Sequence, residues 1–148
     1  MIVIGIGNVD RGDDGIGIEA ARQLRNLAPE GVTVVEKRGE TTELLAAWRG
    51  EGHVIAVDAI VSGKPAGTVH RFIANEKELS SDDFQCSTHG FGLREAVELA
   101  RALGELPEEL IIYGVEGKNF NSGGGLSEEA KQGVEEAVRQ ILVEMQDA

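Results

Sequence analysis

Aromatic residues are scarce in this chain, at 4% of 148 residues, so its core must be built from aliphatic side chains. Cysteine is nearly absent. The single Cys86 excludes an internal disulfide framework and fits a reducing compartment, so a cytoplasmic protein is expected. Basic residues are outnumbered: Lys and Arg total 14 against 26 Asp and Glu, for a net charge of −12. That balance excludes a broad basic face for nucleic acid. It favours basic partners or metal cations, although solubility alone accounts for it equally well. No apolar run approaches the roughly 18 residues that a membrane span requires. The apolar N-terminal stretch lacks a preceding basic region and is too short for a signal peptide, so residues 1–7 are expected to be a core strand. With 41% hydrophobic residues, the chain has enough apolar surface for one domain, expected to span residues 1–148. Nothing in it calls for a stable dimer, and a monomer is expected.

What is present is concentrated in the first seventeen residues, MIVIGIGNVDRGDDGIG. An apolar run stops at Gly5-Ile6-Gly7-Asn8, a turn carries Asp10, Asp13 and Asp14, and a helical pattern starts after Gly15 and Gly17. Strand, glycine turn and helix make a ligand-binding corner. Such corners usually hold phosphate on backbone N–H groups at a helix N-terminus. This one presents carboxylates, which repel phosphate and attract cations.

Along the chain, strands are expected at 1–7, 32–36, 53–60, 68–74 and 109–115. Helices are expected at 15–28, 41–50, 91–103 and from about 127 onward. The helical core stripes are read as Ile16, Ala20, Leu24 and Leu27; then Leu93, Val97, Ala100 and Leu103; and last Val134, Val138, Ile141 and Met145. Residues 53–60 are the most continuously apolar, as a central strand should be. The link between the third and fourth strands, Ser62 to Gly67, is too short for a parallel crossover. The fourth strand should therefore run antiparallel to the third. The expected architecture is a three-layer α/β/α domain with a mixed, mostly parallel sheet of about five strands. Ligands in such sheets sit beyond the carboxyl ends of the parallel strands.

Several residues fall at that edge, each with a plain alternative role. Asp58 closes a buried strand and reads as a metal ligand or catalytic acid, or as an acceptor for backbone N–H groups of the next turn. Asp13 and Asp14 enter the first helix; one carboxylate suffices as a cap, which leaves the other to point over the edge. His89 lies in the loop before the third long helix, where a histidine is either inert or a ligand. His53 and His70 are read as structural, at the amino end and in mid-strand. Cys86 is read as a bystander thiol. Two carboxylates and one imidazole suit nickel, zinc, manganese or iron(II) without choosing among them. A dinucleotide site is the main competitor: Gly5-x-Gly7 and Glu36 match its fingerprint, but its third glycine would fall on Asp10.

Four segments in order then show a likeness to a known family. They are Gly5-Ile6-Gly7-Asn8 with Asp13-Asp14-Gly15-Ile16-Gly17, Val57-Asp58-Ala59, His89-Gly90-x-Gly92-Leu93, and Gly114-Val115-Glu116-Gly117 running to Gly125-Leu126-Ser127. On these the chain resembles the hydrogenase maturation proteases, which finish the large subunits of nickel–iron hydrogenases. The resemblance covers almost the full length. It implies an α/β/α fold and a nickel-recognising site on Asp14, Asp58 and His89, which would serve both as metal ligands and as catalytic residues. It also implies a hydrogenase large-subunit precursor as partner, whose C-terminal extension is removed once nickel is in place. Where the family carries apolar residues after the asparagine, this chain has Val9-Asp10-Arg11-Gly12. Glu40, Thr41 and Glu116, on loops of the same edge, are expected to line the substrate groove. A non-catalytic nickel-binding chaperone on the same scaffold, and a hydrolase resembling peptidyl-tRNA hydrolases, remain as alternatives.

Overall fold

A computed structural model describes residues 1–76 and 92–147. Five strands make one sheet: β1 (Ile2–Ile6), β2 (Thr33–Lys37), β3 (His53–Ile60), β4 (Val69–Ile73) and β5 (Glu109–Glu116). The helices are α1 (Ile16–Leu27), α2 (Thr41–Trp48), α3 (Gly92–Leu103) and α4 (Glu128–Asp147), and a 3-10 turn at Gly12–Gly15 leads into α1. The strand order is β2-β1-β3-β5-β4, parallel except for β4. The expected three-layer α/β/α fold is the one found, with β3 at its centre.

Side-chain alternation sorts the strands onto two cores. Ile2, Ile4, Ile6, Val54, Ala56, Ile60, Leu110 and Ile112 face α2 and α3, where Leu44, Trp48, Leu93 and Val97 meet them. Val3, Ile55, Val57, Ala59, Ile111, Tyr113 and Val115 face α1 and α4 and pack on Ile16, Leu24, Val134 and Ile141. Two stripe assignments need correcting. Leu27 and Leu103 are each 58% exposed, each as the last residue of its helix.

The fourth strand is antiparallel, as the short link requires, but its neighbour is β5 and not β3. Residues 61–68 therefore pass over the carboxyl end of β5 to reach the edge of the sheet. Sequence cannot reveal this, because β5 enters the gap some forty residues later.

The glycines of the first corner serve packing. A Cβ at Gly17 would lie 2.3 Å from the carbonyl oxygens of both Ile6 and Val57, and one at Gly5 would lie 2.3 Å from the Gly17 carbonyl oxygen. The first turn of α1 thus rests directly on the backbones of β1 and β3. Replacing Gly17 by Ala should force these backbones apart and cost about 3 kcal/mol, the upper end for overpacking. Urea denaturation should show a lower midpoint at unchanged slope.

Candidate active site at the carboxyl edge of the sheet

The two aspartates picked out from sequence meet at one corner. Asp14 is on the 3-10 turn, which packs against β3, and β3 carries Asp58. Both are almost completely buried, at 2% and 5% exposure. The corner is fixed by backbone bonds: the Asn8 N–H donates to the Asp14 carbonyl at 3.1 Å and the Asp14 N–H to that of Arg11 at 3.1 Å. Gly7, with φ of 148°, leaves room for the Asp14 carbonyl, which would lie 1.9 Å from a Cβ there. Asp58 sits one residue beyond the last β1–β3 pair, Gly5 with Val57, and opposite Gly114 of β5. Its Oδ1 accepts the Ala59 N–H at 2.8 Å. The backbone-acceptor role thus holds, with the donor inside the strand and not in the following turn. By alternation Asp58 faces the α2/α3 side with Ala56 and Ile60.

His89 and Cys86 lie outside the described residues. Among the described residues no three His, Cys, Asp or Glu side chains converge as a metal-binding group. Two buried carboxylates at the end of a parallel sheet nevertheless supply hard oxygen donors suited to a divalent ion. They stand where such sheets bind ligands.

Asp13 takes a part that sequence did not assign to it. No side chain caps the 3-10 turn or α1. The Asp13 carboxylate instead reaches the loop after β5, accepting N–H bonds from Lys118 at 2.7 Å, Asn119 at 3.1 Å and Ser127 at 2.7 Å, and the Ser127 hydroxyl at 2.8 Å. Ser127 Oγ in turn accepts the Ala130 N–H at 3.2 Å, the expected cap of α4. Burial alone would push the Asp13 carboxyl up. The Ser127, Lys118 and Asn119 N–H groups and the Ser127 hydroxyl outweigh it and hold the carboxyl below its ordinary value of 3.8.

The weaker groove candidates are placed as follows. Glu40 is exposed at the N-cap of α2 without a side-chain capping bond. Thr41 is the first residue of α2, and its hydroxyl donates to the Gly92 carbonyl at 3.4 Å, which ties α2 to the start of α3. Glu116 is not on a loop. It is the last residue of β5, 1% exposed. Its carboxylate accepts the Ser62 N–H at 3.1 and 3.2 Å and the Ser62 hydroxyl, and lies 3.1 Å from His70 Nε2. His70 corrects a further expectation. Because β4 runs antiparallel, its start lies at the carboxyl edge, and His70 pairs with Gly114, the residue that also pairs with Asp58. His53, by contrast, lies at the amino end, 3.7 Å from Glu109.

Glu36, the acid that a dinucleotide site would offer to a ribose, is occupied. Arg25 reaches it at 2.9 Å and Arg22 at 3.3 Å. The Arg25 hydrogen bond, with Arg22 beside it, holds its carboxyl below the ordinary value. Two clefts open nearby. One of about 340 Å³ lies over the carboxyl ends of β1 and β2, lined by Gly7, Asn8, Val9, Lys37 and Arg38 among others. A larger one of about 700 Å³ lies between α1 and α4, away from the face on which Asp58 stands. Among the described residues, no helix is long and apolar enough to cross a membrane.

Comparison with known proteins gives the family and the fold. The sequence model of the family described as hydrogenase maturation protease matches residues 18–144. The hydrogenase 2 maturation protease of Escherichia coli is 27% identical, over 100% of this chain and 92% of its own length. Among solved structures, the hydrogenase maturating endopeptidase HybD of E. coli superposes with a TM-score of 0.77 at 26% identity, covering 99% of this chain and 91% of that one. The nickel–iron hydrogenase maturation protease HybD of Thermococcus kodakarensis gives 0.76 at 28% identity, covering 95% of each.

The Asp13 clamp makes a pH prediction. A carboxyl held low in the folded state contributes stability that is complete above its unfolded value near 3.8 and is lost as pH falls through the lower folded value. Asp13→Asn should cost about 1–3 kcal/mol at neutral pH by leaving donors unsatisfied. It should also flatten the fall in stability below about pH 4, as followed by thermal unfolding between pH 2 and 7. An unchanged acid slope would show that Asp13 carries none of it.

Proposed function

Because this chain belongs to the hydrogenase maturation protease family, we propose that it is the endopeptidase that removes the C-terminal extension of a nickel-loaded hydrogenase large-subunit precursor. One observation carries the reading beyond family membership. Asp14 and Asp58, distant in sequence, are both buried at a single corner of the sheet's carboxyl edge. Two carboxylates gathered at the edge where such sheets bind ligands offer hard oxygen donors to a divalent ion. A metal arriving with the substrate would meet those donors there.

In this reading the precursor presents nickel on its own thiolates. Asp14, Asp58 and His89 complete the recognition of that centre and thereby dock the scissile peptide bond at the corner. A carboxylate is then in place to take a proton from the attacking water and to return it to the leaving amine. Asp13 and the glycine contacts hold the corner rigid, so that the precursor and not the protease supplies the variable part. The protein acts in the cytoplasm, as a monomer.

The direct test is the intact mass of a large-subunit precursor from the same organism, with and without nickel, before and after incubation. The expected result is a nickel-dependent loss of one C-terminal peptide. Asp58→Asn and His89→Ala should each abolish that loss, by about three orders of magnitude or more in rate, while far-UV circular dichroism stays unchanged. Nickel binding without any mass change would instead establish a chaperone, and wild-type rates in either variant would remove that residue from the site.

A further inference from the structure

The two edge strands of the sheet, β2 and β4, differ in what covers them. In β2 the odd-numbered residues bond to β1: the Thr33 N–H donates to the Met1 carbonyl at 3.1 Å, and the Lys37 carbonyl accepts the Gly7 N–H at 3.0 Å. The main-chain groups of Val34 and Glu36 therefore point outward. That edge is guarded. Arg25 of α1 lies across it, with Nη2 3.5 Å from the Val34 carbonyl oxygen and Nη1 2.9 Å from the Glu36 carboxylate. A charged side chain laid over an edge discourages the addition of another strand.

Among the described residues, β4 has no such guard. Here the even-numbered residues face β5. The Glu116 N–H donates to the Thr68 carbonyl and the Ala74 N–H to the Leu110 carbonyl, both at 2.9 Å, so the ladder bonds fall on Thr68, His70, Phe72 and Ala74. The flanking β5 residues of opposite parity turn toward β3: the Gly117 N–H donates to the Ile60 carbonyl at 3.1 Å and the Glu109 N–H to the Gly52 carbonyl at 3.0 Å. Val69, Arg71 and Ile73 consequently aim their N–H and C=O groups away from the sheet. Of these, only the Ile73 carbonyl has a partner among the described residues, the Glu76 N–H at 3.1 Å. The Arg71 side chain is drawn to Glu144 of α4, with Nε 2.7 Å from its carboxylate. The strand contains neither proline nor glycine, and its Val69, Phe72 and Ile73 are half-buried. It is a regular strand edge with its hydrogen bonds unmade.

We propose that the outer edge of β4 binds the C-terminal extension of the precursor as an added strand. This rests on the protease reading. The position of β4 favours this occupant. Because β4 runs antiparallel, it starts at the carboxyl edge, and His70 lies in one row with Gly114 and Asp58. A strand added beyond β4 stands three strand spacings from β3, about 14 Å. About five extended residues cover that distance. The extension lies downstream of the scissile bond, so it leaves the corner in chain direction and runs parallel with β4 from Val69 to Ile73. It arrives as a free chain end, which can align with an edge without unfolding anything, and main-chain bonds then supply its affinity. Val69 and Ile73 favour apolar residues at alternate positions of the extension. A second copy of this chain suits the edge less well, since two-fold pairing about Arg71 sets that cation opposite itself.

The test is residue-resolved amide hydrogen exchange on the full chain, alone and with excess nickel-free precursor, which should stay intact. In the free protein the amides of Val69, Arg71 and Ile73 should exchange at least about tenfold faster than those of His70 and Phe72. The precursor should slow the three odd-numbered amides by about tenfold or more. Cleavage kinetics on nickel-loaded precursor run beside it. Val69→Pro removes one outward N–H at the first residue of an edge strand, where proline is tolerated. It should raise KM about fivefold with kcat within about twofold. A purely structural role would lower Tm and leave KM unchanged. Exchange that the precursor does not alter at any of the three amides overturns the inference, and the protease reading stands if nickel-loaded precursor is still cleaved. Slow exchange of these amides in the free protein that speeds up on dilution overturns it in favour of a second copy. Slowing by a precursor that is never cleaved, even with nickel, supports the edge while the protease reading fails.

Discussion

One carboxylate closes the functional end of this molecule. Asp13 accepts four hydrogen bonds from Lys118, Asn119 and Ser127, more than a hundred residues away in sequence. It joins the turn after β1 to the loop after β5 and to the first residue before α4. Charge-assisted bonds to backbone N–H groups are short and strong when water is excluded, and here the acceptor is fully buried. The neighbouring Asp14 inherits that rigidity, because its own backbone is bonded into the same turn. The position of the first candidate ligand thus depends on a contact made by the residue before it.

The same economy recurs across the edge. Glu116 does for the β3 exit what Asp13 does for the β1 exit: each is a buried acid that accepts backbone N–H and serine hydroxyl groups from a distant segment. Between these two braces lie Asp14 and Asp58. Four acidic residues are buried among the described residues, and all four stand at the carboxyl edge. Two are saturated by donors from distant loops and serve the frame. The other two are the pair proposed to meet the substrate.

Backbone proximity sets the rest of the site. Gly5 and Gly17 let α1 press onto β1 and β3, and Gly7 lets the 3-10 turn fold back onto the strand end. These glycines resemble a phosphate-binding fingerprint because both motifs need a helix start packed tightly on a strand. What differs is the next few residues, which here bring carboxylates where a pyrophosphate would require bare N–H groups. Glu36, the other half of that fingerprint, is held by Arg22 and Arg25.

The sequence by itself determined the elements, the three layers, the central place of β3 and the two aspartates at the edge. Each of these follows from local pattern: alternation of apolar residues, glycine and proline stops, and a charged residue ending an apolar run. It also fixed the direction of β4, because a short link permits only one. It did not determine which strand β4 joins, the part played by Asp13, the burial of Glu116 or the arrival of His70 at the edge. Those were decided in three dimensions. β5, far along the chain, inserts between β3 and β4, and its last residue then meets Ser62 and His70. Asp13 finds its donors in a loop expected at the same edge, but nothing in the local sequence pairs that loop with this carboxylate. Local propensity selects the elements, but the partners of a buried charge are set by which strands become neighbours, and that is a property of the whole sheet.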